Sequence, residues 1–216
     1  MEAKTRVFLS ESTKENEFMH ETPAKRFGMQ RRYWRSSLSK VHITLSETEI
    51  KKLMVWIKNP ENFLVILGPP GSGKSYLTAA IAQEMFSRNF DVYLWQNERF
   101  YSRLKQEFDY GVSSETLHLM LDHDIVFIDD IGNGYNTPWQ VEQMFNAIDH
   151  LYGEMKPAVI TSNLRFRQKD CHGSEKSFEE IFGDRMRSRL QADENTYIGL
   201  WNRSDKRNLQ YKNEDA

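Results

Sequence analysis

The sequence predicts an α/β protein of three layers, with helices on both faces of a parallel sheet, and three observations carry the prediction. A short apolar run, Phe63–Leu67, leads directly into Gly68-Pro69-Pro70-Gly71-Ser72-Gly73-Lys74-Ser75, a full match to the G-x-x-x-x-G-K-[ST] phosphate-binding loop. The residues behind the loop, Leu77, Ala80, Ile81 and Met85, recur at helical spacing. Four more short apolar runs then alternate with amphipathic segments, the rhythm of strands joined by crossover helices. At 216 residues and 39% hydrophobic, the chain buries one sizeable core. The expected organisation is a polar arm over 1–27, one domain over 28–207 and a polar tail over 208–216.

In chain order, Ser46-Glu47-Thr48-Glu49 is a capping box, and Ile50, Leu53, Met54 and Ile57 follow on one helical face until Asn59-Pro60 ends it. Phe63 to Leu67 is the first strand and Asp91 to Trp95 the second. Two helical pieces then precede the next strand. Phe100, Tyr101, Leu104 and Phe108 form an aromatic stripe, which at this spacing reads as core, and Ser114 caps a shorter helix through Leu117 and Leu121. Ile125 to Ile128 is the third strand, ending in Asp129-Asp130. Thr137 to Tyr152 is an amphipathic helix, Ala158 to Thr161 the fourth strand, and Arg165 to Ser177 an irregular exposed loop. Phe178 to Leu190 reads as a helix bearing Arg185, Arg187 and Arg189, and Tyr197 to Leu200 as the fifth strand.

Composition excludes more than it selects. A net charge of -2 gives no global attraction to nucleic acid, so any such binding needs a local patch. Lys25 to Lys40 is one: six basic residues and no acidic one, interleaved with Phe27, Tyr33 and Trp34, read either as a contact surface or as a linker packed on the domain. Cys171 is the single cysteine, which leaves no internal disulfide and no cysteine zinc cluster. With no signal peptide and no bilayer-length apolar run, a cytoplasmic protein without membrane contact is the expectation.

The loop states its own chemistry. Gly68, Gly71 and Gly73 permit backbone angles that turn successive N–H groups toward a phosphate chain. Lys74 supplies a charge between the β- and γ-phosphates, and Ser75 a hydroxyl for Mg²⁺. Acidic residues at the carboxyl end of a parallel strand sit where such sheets bind ligands. Asp129 is thus expected in the Mg²⁺ shell, and Asp130 is placed to orient and deprotonate a water. A rival pattern is present: Asp129-Asp130-Ile131-Gly132 fits D-x-x-G, and Asn202-Arg203-Ser204-Asp205 approximates the N-K-x-D of GTPases. Against it, no threonine lies between Thr78 and Thr116 for a switch, and Arg203 replaces the lysine.

These motifs resemble the AAA+ ATPases of the DnaC-type helicase loaders and the related IstB-type transposition ATPases, from about Met29 to Arg207. Met29-Gln30-Arg31-Arg32-Tyr33 is similar to the lead-in, the loop to Walker A and Ile125–Gly132 to Walker B. The resemblance implies ATP and Mg²⁺ as cofactors, held by Gly68, Pro69, Pro70, Gly71, Ser72, Gly73, Lys74, Ser75 and Tyr76, with Arg207 as a sensor 2 arginine. It makes Asn163 the sensor 1 residue, Arg189 the finger supplied to a neighbouring subunit and Arg185 its companion. That in turn implies an ATP-dependent homo-oligomer. The two helices between the second and third strands match the insertion of this group. Lys105 and Phe108 resemble a single-stranded DNA contact, with Thr137 and Trp139 in a second strip, and a lysine with aromatics is what a sequence-tolerant groove requires. The implied partner is a replicative helicase, or a transposase. Three departures stand out: few residues precede the match, the 165–177 loop is long, and Asp130 replaces the usual glutamate. With only a short stretch after Leu200, a substantial helical lid is not expected. A small P-loop kinase and a nucleotide-gated adaptor remain open alternatives on the residues alone.

Overall fold

In the computed structural model, residues 29–201 are described, apart from residues 44, 112–114, 135 and 174. The expected arm, the tail, the Ser114 cap, Arg207 and the stretch from Asn202 to Asp205 lie outside the described residues. The sheet is parallel throughout and has five strands in the order β2-β3-β4-β1-β5. These are β1 (Phe63–Leu67), β2 (Val92–Gln96), β3 (Ile125–Ile131), β4 (Ala158–Ser162) and β5 (Thr196–Gly199). Each falls within a few residues of its predicted range.

β1 shows why the fold has three layers. All five of its residues are buried, as expected of a central parallel strand covered on both faces. Leu64 and Ile66 point into one core, with α1 (Glu47–Lys58) and α2 (Lys74–Ser87), while Phe63, Val65 and Leu67 point into the other. That second core is closed by α3 (Asn97–Tyr110), α4 (Glu115–Asp122), α5 (Pro138–Gly153) and α6 (Phe178–Leu190). α1 begins with the predicted capping box: Ser46 Oγ accepts from Glu49 N at 3.3 Å, and Glu49 Oε2 accepts from Ser46 N at 2.7 Å. The described part of the basic segment ahead of α1, from Met29 onward, packs on the domain. Tyr33 and Trp34 lie against the first core, and Gln83 Nε2 on α2 donates to the Tyr33 carbonyl at 3.0 Å.

Three expectations are corrected. The aromatic stripe of α3 is only partly core, since Phe100, Tyr101 and Leu104 are buried but Phe108 is 77% exposed. Glu107 takes the inward position in its place, where its Oε1 accepts from the Thr116 N–H at 2.7 Å and from the Thr116 hydroxyl, tying α3 to α4. One residue on a helix is a rotation of about 100°, so the exchange turns Phe108 away from the core. The 165–177 loop is not simply exposed: Arg165 bridges Ser177, and Phe166 lies 5.8 Å from both Phe178 and Tyr197. α6 is broken at Gly183, whose φ of 77° and ψ of 171° interrupt the helix. Among the described residues, no helix is long and apolar enough to cross a membrane.

Candidate functional site

The carboxyl ends of β1, β3 and β4 meet around the phosphate loop. Gly68 has no room for a side chain, because a Cβ there would come within 2.8 Å of Leu200 Cβ and of Ser72 Oγ. Gly71 and Gly73 take φ values of 77° and 98°, in the left-handed region that favours glycine. The loop opens into α2, a helix of 14 residues whose N-terminal N–H groups and dipole face the loop. Ser72 Oγ is buried with no hydrogen-bond partner. Lys74 Nζ donates to the carbonyls of Gly68 at 2.7 Å and Pro69 at 3.0 Å, and to Asn163 Oδ1. A cradle of this backbone shape, with an orphaned hydroxyl and an internally held lysine, fits a nucleotide's phosphates.

Asn163 is the joint of the site. Its Oδ1 accepts from Lys74, and its Nδ2 donates to Asp130 Oδ1 at 2.9 Å. One planar amide therefore connects the phosphate loop to the acidic pair. Asp129 Oδ1 accepts from the Thr161 hydroxyl at 2.6 Å, and the same hydroxyl accepts from Asp130 N at 2.8 Å. The pairing of β3 with β4 shifts register between Ile128 and Ile131, and Asp130 sits in that irregularity with φ 67°. Asn133 Nδ2 donates to Asp130 Oδ2 at 2.7 Å. Burial, and then the neighbouring Asp129 charge, raise the Asp130 carboxyl above the ordinary aspartate range; Lys74 and the Asn133 amide oppose them. A carboxylate held in this way is poised to take up a proton. Ser75, in the first turn of α2, and Asp129 offer the hydroxyl and carboxylate oxygens that suit a hard cation.

Thr161 and Asn133 were missed in the sequence. Thr161 and Asn163 are two residues apart on an extended segment and so share a face, a signal that alternation in β4 offered. Asn133 is read only once the chain turn is known. Gly132 carries φ 76°, and a Cβ on it would lie 2.4 Å from Leu164 Cδ1, so close packing and backbone conformation account for the glycine of the D-x-x-G match.

Arg189 and Arg185, the predicted arginines within the described residues, are held on other groups. Arg189 forms an ion pair with Asp149, and its guanidinium carbon lies 5.1 Å from the Phe145 ring centroid. Arg185 is exposed and lies 4.9 Å from the centroid of the same ring. Of the predicted DNA strip, Lys105 and Phe108 are exposed on α3. Trp139 is partly buried, with its ring 6.3 Å from Tyr101, so the start of α5 runs beside the first half of α3. Phe108 lies seven residues beyond Tyr101, about two turns farther along. Thr137 caps α5, its hydroxyl accepting from Gln140 N at 3.2 Å.

Strand order separates the classes of phosphate-loop proteins. Here β4 lies between β1 and β3, so its polar end faces both the loop and the acids, the arrangement of ATP-binding proteins of the AAA+ class. The model of one family, described as IstB-like ATP binding protein, matches residues 39–191, and the chain belongs to that family. Among curated proteins, it is 32% identical over 110 residues to the phage-like element PBSX protein XkdC of Bacillus subtilis (48% of this chain, 41% of that protein). It is 26% identical over 152 residues to the insertion sequence IS5376 putative ATP-binding protein of Geobacillus stearothermophilus (69% of this chain, 56% of that protein). The chain thus matches about half the length of these relatives. Among solved structures, the DnaC helicase loader superposes with a TM-score of 0.64 at 23% identity, over 78% of this chain and 99% of that one. The replication initiator DnaA bound to AMPPCP and single-stranded DNA gives 0.59 at 18%, over 86% of this chain and 56% of that one. At such identities these two likenesses speak for the fold.

Proposed function

We propose that the protein hydrolyses ATP and uses the cycle at single-stranded DNA to deliver a replicative helicase. The observation that carries the hydrolytic part is the Asn163 amide, bonded at one end to Lys74 and at the other to Asp130. Water attacks the γ-phosphorus, the bond to the β-γ bridging oxygen breaks, and Asp130 receives the proton of the attacking water. Lys74 leaves its loop carbonyls to meet the phosphate oxygens, and Asn163 holds the γ-phosphate and water against Asp130. Ser75 and Asp129 would hold Mg²⁺, which supplies charge neutralisation at the β- and γ-phosphates.

In the same reading, Arg189 and Arg185 serve a neighbouring subunit's site in an ATP-dependent homo-oligomer, and Arg207 reads the phosphates within its own chain. The polar first 27 residues dock the protein partner, and residues 28–207 carry the ATPase. Lys105, Phe108, Thr137 and Trp139 form the DNA strip; an exposed phenylalanine beside a lysine supplies stacking and charge without sequence readout.

A second reading is favoured by the family description and by the insertion-sequence relative: a transposition ATPase that prefers duplex DNA and binds a transposase. One set of measurements separates them. Lys74→Ala is expected to abolish ATP binding, and Asp130→Asn to keep binding while lowering turnover at least a hundredfold. Single-stranded DNA should raise turnover of the unaltered chain more than duplex of equal length, and helicase should be recovered with the ATP-bound protein. Equal ATP binding by Lys74→Ala overturns the site, whereas duplex preference with transposase recovery selects the second reading.

A further inference from the structure

We propose that Asn133 is a positioning residue for the hydrolytic carboxylate, its side-chain amide fixing Asp130 so that the carboxylate's remaining lone pairs face the attacking water. The inference deepens the hydrolytic reading above and rests on it. Asp130 is held at three points: Thr161 Oγ1 accepts from its N–H at 2.8 Å, Asn163 Nδ2 donates to Oδ1 at 2.9 Å, and Asn133 Nδ2 donates to Oδ2 at 2.7 Å. Each carboxylate oxygen offers two lone pairs, so one amide apiece leaves one on each oxygen for water.

Two amides are needed because of what an aspartate is. Its terminal torsion joins an sp³ to an sp² carbon and has a broad well, so a single hydrogen bond leaves the plane of the carboxylate free to turn. Bonds to both oxygens fix that plane. The two holders also differ in their other duties. Asn163 is shared with Lys74, and that bond is given up when the lysine turns to a phosphate. Asn133 grips the other oxygen from the same turn as Asp130, where its own N–H also reaches the Asp130 carbonyl at 3.4 Å. Gly132 between them makes the turn possible: its φ of 76° brings position 133 back over position 130. Asn133 therefore keeps the carboxylate in place through the step in which Asn163 changes partners.

The test is steady-state ATP hydrolysis by the full chain and three variants, with thermal melting alongside. Asn133→Ala should lower kcat about tenfold with KM for ATP within about twofold and the melt unchanged, because alignment in the reacting complex is lost and nucleotide binding is not. Asn133→Asp, which keeps the shape but loses the donor, should lower kcat at least as far. Asn133→Gln keeps the donor and should turn over faster than Asn133→Ala. Wild-type kcat in Asn133→Ala overturns the inference, as does a loss that appears in KM or follows a fall in melting temperature. If the unaltered chain binds ATP without turning it over, the hydrolytic reading fails and the inference falls with it. Turnover by the unaltered chain with indifference to Asn133→Ala removes the inference alone.

Discussion

The acidic corner and the α3–α4 hairpin solve the same problem, holding a polar group inside a protein, in opposite ways. At the corner, Lys74, Asn163, Asp130 and Thr161 hold one another, and three of the four side chains, Lys74, Asn163 and Asp130, are those proposed to meet the nucleotide and water. In the hairpin, Glu107 is buried to bond Thr116, and the visible result is an aromatic neighbour turned to solvent. The difference teaches where a polar group is a tool and where it is a fastener. A network whose members can change partners suits the proposed reaction, while the Glu107 carboxylate, closed on a backbone N–H and a hydroxyl beside Arg103, is built to stay.

That contrast is open to attack by substitution. The largest stability effect is expected at the corner's turn: Gly132→Ala adds a Cβ against Leu164 at a positive φ, and should cost about 2 to 4 kcal/mol in denaturant unfolding. A loss under 0.5 kcal/mol would mean that the turn is not fixed. Next comes the fastener. Glu107→Ala leaves the Thr116 N–H and hydroxyl unpaired, and should destabilise by about 1 to 3 kcal/mol while ATP affinity is unchanged. If Glu107→Ala melts like the unaltered chain, the hairpin is held by other means. The smallest effect on folding is expected from Phe108→Ala, about 0.5 kcal/mol or less, since the side chain is already in water. Single-stranded DNA binding should nonetheless weaken by about 1 to 3 kcal/mol, evenly across base sequences. Unchanged DNA affinity would remove Phe108 from the strip and leave the ATP site untouched.

The same contrast explains what the sequence disclosed. The phosphate loop is legible because its residue types are demanded by backbone shape: a glycine at φ 98° and a lysine that reaches back over its own loop leave few substitutes. The five strands are legible because a strand buried on both faces must be apolar along its length, as β1 is. For Phe108 the sequence left core and surface both open, because periodicity specifies a direction only to within a residue, and at the end of α3 a buried glutamate took the inward place. Asn133 was invisible for another reason. Its partner is three positions away across a glycine, and only the left-handed turn brings the two together. The break in α6 at Gly183 was hidden by a pattern of apolar residues that continues across it, with Phe182 and Met186 both buried.

The ion pair between Arg189 and Asp149 leaves Arg185 and Arg189, on the same helix, unequally held. Arg185 rests on Phe145 with its side chain in solvent, so reaching across to a second molecule costs it one face of one ring. Arg189 must first surrender a carboxylate partner as well as that ring. An assembly that draws on Arg189 therefore starts against a latch, and any anion that competes for its guanidinium loosens the latch before the neighbour arrives. If Arg189 serves a neighbouring site as proposed, Asp149 sets how reluctantly that charge is lent.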